Sequence, residues 1–168
     1  MTRWSRINLV LALLVAALLI VDQWPEHSDK ADQQTLTDLT IDDITSLRIE
    51  RGGRLTLALH RDADGWQLSH PLPVPAAARR VAQLLAVARA EVAQRFPLND
   101  DAARYGLDEP QAVLHIDQLS LAFGQRDTSQ QARYVQVGDD LCVIDDLYFN
   151  LLTLPPSHFA ATGGEHPN

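Results

Sequence analysis

The residue types able to do chemistry are present but scattered. Carboxylates come in adjacent pairs at Asp42-Asp43, Asp100-Asp101, Asp139-Asp140 and Asp145-Asp146. Two neighbouring carboxylates can hold a cation or divide the roles of acid and base. Each pair, however, falls at a turn or a helix start, where Asp is favoured because its side chain bonds the nearby backbone. No Asp-x-Asp-x-Asp-Gly loop accompanies them. The six histidines, at positions 27, 60, 70, 115, 158 and 166, include no pair at metal-ligand spacing on a helix. His60 and His115 fall in predicted strands on the faces opposite the leucines, which makes them exposed strand residues. The single cysteine, Cys142, excludes an intramolecular disulfide and a Cys-rich zinc site. With Asp139 and Asp140 close by it is disfavoured as a thiolate, and it reads as a small buried hydrophobe on a strand. There is no phosphate-cradling glycine loop and no G-x-S-x-G. The expectation is a chain without catalytic, cofactor or metal residues.

The elements that would position these groups are mostly strands. Leu47 and Ile49 alternate with polar residues, and Gly52-Gly53 makes a tight turn. Leu55, Leu57 and Leu59 alternate again, and Asp62-Ala63-Asp64-Gly65 turns the chain into Trp66-Gln67-Leu68. This predicts a three-stranded meander with one apolar face, anchored by Trp66. Pro75 suits a first helical position, and Val81, Leu84, Leu85, Ala88 and Val92 form a helical stripe that Pro97 ends. Asn99 to Tyr105 predicts a short helical turn, with Gly106 as its left-handed terminator. Strands resume over 112–117, 119–124, 133–138 and 141–145, followed by a second apolar helix over 147–154. The predicted class is α+β: two weakly repeated units, each an antiparallel meander followed by a helix.

Topology along the chain is legible from charge and hydropathy. Residues 7–21 read INLVLALLVAALLIV, and the stretch from Trp4 to Trp24 rises about 31 Å as a helix, enough to cross a bilayer. Arg3 and Arg6 precede the run, and the other 12 basic and all 22 acidic residues follow it, a formal charge of −10. The positive-inside rule puts the N-terminus in the cytoplasm and the rest in the periplasm of a bacterial inner membrane. No A-x-A cleavage site follows the run, so the segment reads as an uncleaved signal anchor. The predicted organisation is an anchor over 1–24, an acidic linker over 25–40, a domain over 41–159 and a flexible tail over 160–168. A domain this acidic repels phosphate backbones, which excludes nucleic acid as a partner class.

One set of marks carries a resemblance. Gly65-Trp66-Gln67-Leu68 is followed by Pro71. Further on come Arg95, then Tyr105-Gly106-Leu107-Asp108-Glu109-Pro110, Leu121-Ala122-Phe123-Gly124 and Arg133-Tyr134-Val135. In this order and spacing they resemble the domain of unknown function family 4340, over roughly residues 41–159. The resemblance implies a membrane-anchored extracytoplasmic protein; some members are encoded near auxiliary components of gliding-motility-type ABC transporters. No catalytic residues are established for the family, so none carries over. Within the motif, Gly106 permits positive φ, Leu107 can plug into a core, and Pro110 forces an extended entry to the next strand.

The leading expectation is therefore a tethered, non-enzymatic accessory or scaffold protein that binds another envelope protein. Tyr148, Phe149, Leu151 and Leu152 form its candidate contact surface, with Leu154 beside them, being denser than one helix face needs. A periplasmic module for a small or lipidic ligand is the second reading, and a hydrolase using the Asp pairs the third.

Overall fold

A computed structural model of the chain describes residues 34–98 and 101–161. The predicted anchor over 4–24, the linker up to residue 33, Asn99, Asp100 and the tail from 162 onward lie outside the described residues. Among the described residues no helix is long and apolar enough to cross a membrane.

The chain forms β1 (Ser46–Arg51), β2 (Arg54–Asp62), β3 (Gly65–His70) and β4 (Val74–Pro75), then helix α1 (Ala78–Leu85). A 3-10 turn leads to β5 (Val92–Pro97). After it come β6 (Ala112–Ile116), β7 (Leu119–Asp127), β8 (Ala132–Val137), β9 (Asp140–Asp145) and helix α2 (Leu147–Thr153). All nine strands join one antiparallel sheet in the order β4-β3-β2-β1-β6-β7-β8-β9-β5.

This corrects the expected α+β class of two meander-plus-helix units. The described residues form mostly one continuous nine-stranded sheet with two short helices. The meanders do not close separately, because β1 pairs with β6 along Leu47–Arg51 and fuses them. The long helix predicted from Pro75 is cut at both ends. Pro75 sits in β4, paired with Gln67 at the sheet's margin, where a missing N–H is tolerated. The helix starts at Ala78 with no side-chain cap and no acidic residue in its first turn, while Arg79 and Arg80 oppose its dipole. Its 3-10 continuation ends where Ala90 turns extended, at ψ 137°. Val92 to Phe96 then pair with β9, so Arg95 lies on a strand and not at a helix end.

Alternation sorts the side chains to two faces. Leu47, Ile49, Leu57, Leu59, Leu114, Ile116, Leu121, Phe123, Val135, Cys142 and Ile144 bury one face. Val81, Leu84 and Leu85 of α1, Leu152 of α2, and Phe159 cover it. Leu36 is also fully buried here. Its backbone N–H donates to the Ala90 carbonyl, and the Val92 N–H donates to Gln34. Residues 34–40, read as linker, thus belong to the folded body. Trp66 packs half-buried against the same core, and Pro71 follows β3 on the surface.

Candidate functional site

The topology creates a crossing. β5 lies at one margin of the sheet and β6 near its middle, with β9, β8 and β7 between them. The chain between β5 and β6 must travel back over these strands, and residues 102–107 lie on the face opposite the helices. The Leu98 N–H donates to the Asp139 carbonyl at the start of the passage, and the Gln111 N–H donates to the Phe123 carbonyl at its end. In between, a 3-10 turn over Ala102–Tyr105 is terminated by Gly106 at φ 67°, ψ 33°, the left-handed region that glycine enters without strain. The Leu107 N–H closes back onto the Ala102 carbonyl, and its side chain is buried.

Gly124 of β7 is the place where the passage touches the sheet. A Cβ there would lie 2.2 Å from the Tyr105 carbonyl oxygen and 3.1 Å from Leu107 Cδ2. The backbone is therefore laid directly on a strand that has no side chain in the way. The Tyr105 ring packs edge-on to Tyr134 of β8, centroids 4.9 Å apart, and tilts against Phe96 of β5 at 6.4 Å. Tyr105, Gly106, Leu107, Gly124 and Tyr134, separated by up to 29 positions in sequence, form one contact cluster. Asp108 is exposed and Pro110 half-buried at the exit of the passage. Trp66 and Pro71 belong to β3 and the turn after it, far along the strand order from this cluster.

Beside the three rings lies a recess of about 230 Å³, lined by Gln94, Arg104, Gln125, Asp127 and Gln130 as well as the rings. The Arg104 guanidinium stands 5.8 Å from the Tyr105 ring centre. Burial pushes the Tyr134 hydroxyl above its ordinary range, reinforced by the Asp127 charge, so it stays a donor. It points at Asp127 at 3.4 Å. Asp127 itself is held low, first by the Ser129 hydroxyl.

The profile of the family described as Domain of unknown function (DUF4340) matches residues 66–163. The chain belongs to this family. No curated protein and no solved structure matches the chain.

The DUF4340 match ends just past α2, whose apolar residues were the candidate partner surface. Leu152 is buried, while Tyr148, Phe149, Leu151 and Leu154 are half-buried against the core. Phe149 is held between Phe123, at 6.1 Å, and the Arg133 guanidinium, 3.5 Å above its ring. Arg133, only 5% exposed, donates to Asp146 at 2.6 Å, to the Gly124 carbonyl at 2.7 Å and to Gln111 at 2.8 Å. A buried guanidinium needs this many acceptors. It ties both sides of Gly124's strand to the start of α2.

Several carboxylates of the acidic pairs of this DUF4340 chain make structural contacts. Asp145 accepts from the Leu147 N–H at 2.8 Å. Asp146 binds Arg133 and also Arg126 at 3.0 Å. Asp140 meets Arg95 at 3.2 Å, whose other nitrogen donates to the Thr35 and Leu36 carbonyls. Asp42 and Asp43 form a 3-10 turn, and Asp101 faces Arg104 at 4.0 Å. Among the described residues no three His, Cys, Asp or Glu side chains converge as a metal site. Burial raises the Cys142 thiol above its ordinary range, with Arg95 opposing and Asp140 adding to the rise, which disfavours the thiolate.

One row of polar residues was missed. His115 is not a fully exposed strand residue. Its Nδ1 is 2.9 Å from the Ser120 hydroxyl, and its Nε2 is 3.5 Å from Glu50 with no hydrogen bond among the described residues. The signal was available in part. Asp117-Gln118 forms a two-residue turn, so positions 115 and 120 must oppose each other across β6 and β7. The Glu50 neighbour depends on the β1–β6 pairing, which no local pattern announces.

Proposed function

We propose that this DUF4340 protein is a non-enzymatic accessory or scaffold protein of the bacterial cell envelope. In this reading it is tethered to the inner membrane through residues 4–24, holds its sheet domain in the periplasm and works by binding another envelope protein, with an ABC-type transporter as one candidate assembly. The observation that supports it is the engagement of the Asp140, Asp145 and Asp146 carboxylates by Arg95, the Leu147 N–H, Arg126 and Arg133, which gives these three a structural role. A tether makes physical sense for a protein partner in the same membrane, because it raises the effective concentration of a weak contact.

The test uses the full-length protein in its own cell. Resistance to alkaline carbonate extraction, and a C-terminal reporter active only in the periplasm, are expected of the tether. Asp42-Asp43 and Asp139-Asp140, each changed to Asn-Asn, should leave the deletion phenotype complemented and the co-purifying proteins unchanged. An Asn-Asn variant that folds, keeps its co-purifying proteins and yet fails to complement would replace this reading with an enzymatic or metal-binding one. A second reading, a periplasmic small-ligand module, is favoured by the recess beside Tyr105 and Tyr134.

A further inference from the structure

We infer that the recess between Phe96, Tyr105 and Tyr134 is a binding site for one neutral pyranose unit of a glycan. The inference deepens the small-ligand reading, rests on it, and is separate from the protein-partner reading.

Three features of the recess select the ligand class. The first is size: about 230 Å³ is below the range of about 300–1,000 Å³ that holds drug-sized molecules, but it suits a single ring. The second is charge. Asp127 and Arg104 stand on the same rim and offset each other, so neither an anion nor a cation gains a net attraction. The third is the mixture of rings and amides. Phe96, Tyr105 and Tyr134 are all half-buried and pack on one another, so they wall the recess while the surface it opens to a ligand is mostly polar, as a hydroxyl-rich ring requires. Gln94 and Gln130 are exposed, with side chains that make no hydrogen bond to the described residues. Each amide offers two donors and an acceptor, the complement of a pair of adjacent hydroxyls. Gln125 donates its NH2 to the Arg104 carbonyl and keeps its oxygen as an acceptor. A proline-rich peptide would need an extended apolar groove, whereas this lining is short and largely polar.

The rim residues are positioned by the fold and not by the ligand. Gln94 and Phe96 point to this face because β5 pairs with β9 in register with Val143 and Leu141. Tyr105 is brought by the passage over Gly124. The site is thus preformed, which spares a weak ligand the cost of ordering it.

The experiment uses purified full-length protein in micelles of an amine-oxide detergent, which has no sugar head group. Saturation-transfer NMR is recorded with irradiation of the aromatic protons and with chitotriose or maltotriose as probe. At least one trisaccharide should receive transfer, with a millimolar Kd as expected for so small a contact. Gln130→Trp, which fills the mouth, and Gln94→Leu, which removes the amide, should each weaken it at least about tenfold without changing the melting temperature. The inference is overturned if neither sugar receives transfer at about 10 mM, or if both variants bind like the native protein. A set of non-sugar fragments is run alongside. Should one of them bind in a Gln130→Trp-sensitive way while the sugars do not, the ligand class is wrong and the small-ligand reading stands. If nothing binds, both fall.

Discussion

Gly124 has the most predictable consequence of any residue. Its φ is unremarkable, so a substitution there meets only the space around it, and that space holds the Tyr105 carbonyl. Gly124→Ala should destabilise by about 3 kcal/mol, the upper range for overpacking. Gly53→Ala, in an open turn at φ 70° with nothing within 4 Å, should cost about 1 kcal/mol from the left-handed backbone alone. Urea titration of the two variants checks the ranking, and equal effects would mean that the passage does not rest on Gly124. Asp146→Ala removes the carboxylate of buried Arg133 and should cost about 3–5 kcal/mol, because the charge is left without its partner. Asp145→Asn keeps an acceptor for the Leu147 N–H and should be near neutral by the same assay. Asp117 supplies a pH dependence. Burial acts to raise its carboxyl, but hydrogen bonds from Thr45 and Ser46 together outweigh it and hold the carboxyl below the ordinary 3.8. A depressed folded value means stability that is present above the unfolded value and lost as pH falls through the folded one. Asp117→Asn should therefore be less stable than the native protein at neutral pH, and the gap should close below pH about 4. A gap that stays constant in an acid series would remove the charge from the explanation. The sequence made some of this visible: Tyr105-Gly106-Leu107 is readable as a left-handed stop followed by a plug. The residue that receives it, Gly124, carries no local sign, since a strand glycine looks the same whether its missing side chain is needed or not.

At the level of elements, the strands with strong alternation were legible and the margins were not. β1, β2, β6 and β7 each have apolar residues at every second position, and nothing competes with that pattern. The sequence predicts helix up to Pro97, across β5, because Val81, Leu84, Leu85, Ala88 and Val92 continue a helical spacing. Val92 is indeed buried, but from a strand, and burial alone does not distinguish the two periods. The segment 34–40 reads as linker in the sequence because it is polar apart from Leu36 and Leu39. One fully buried leucine and a few backbone bonds are enough to dock it. Leu36→Ala should accordingly destabilise by about 3 kcal/mol, which a true linker residue would not do. A change under about 0.5 kcal/mol in thermal or urea unfolding would return residues 34–40 to the linker. The candidate site was half legible: the family marks named two of its rings, while Phe96, Gln94 and Gln130 join it only through the β5–β9 pairing.

At the level of the whole molecule, the nine strands are laid down in an exchange. The chain builds β1 to β4 outward from the middle, crosses by α1, and adds β5 to the margin of the other meander. After β9 it crosses by α2, and Phe159 and Ala161 bond to Ala77 and Pro75 beside β4. Each margin is thus closed by the chain that leaves the opposite half. During synthesis this has a price in time. The first meander emerges early, yet its outer margin and its neighbour at β1 are supplied only when residues 112–161 have followed. Until then it presents two unpaired strand edges, a template for pairing with other chains. The nascent first half is therefore a client for a holding factor, and a ribosome-stalled chain ending near residue 98 should be degraded by protease as readily as an unfolded one. A chain complete to residue 161 should resist. Protection of the shorter chain would show that the halves fold independently after all.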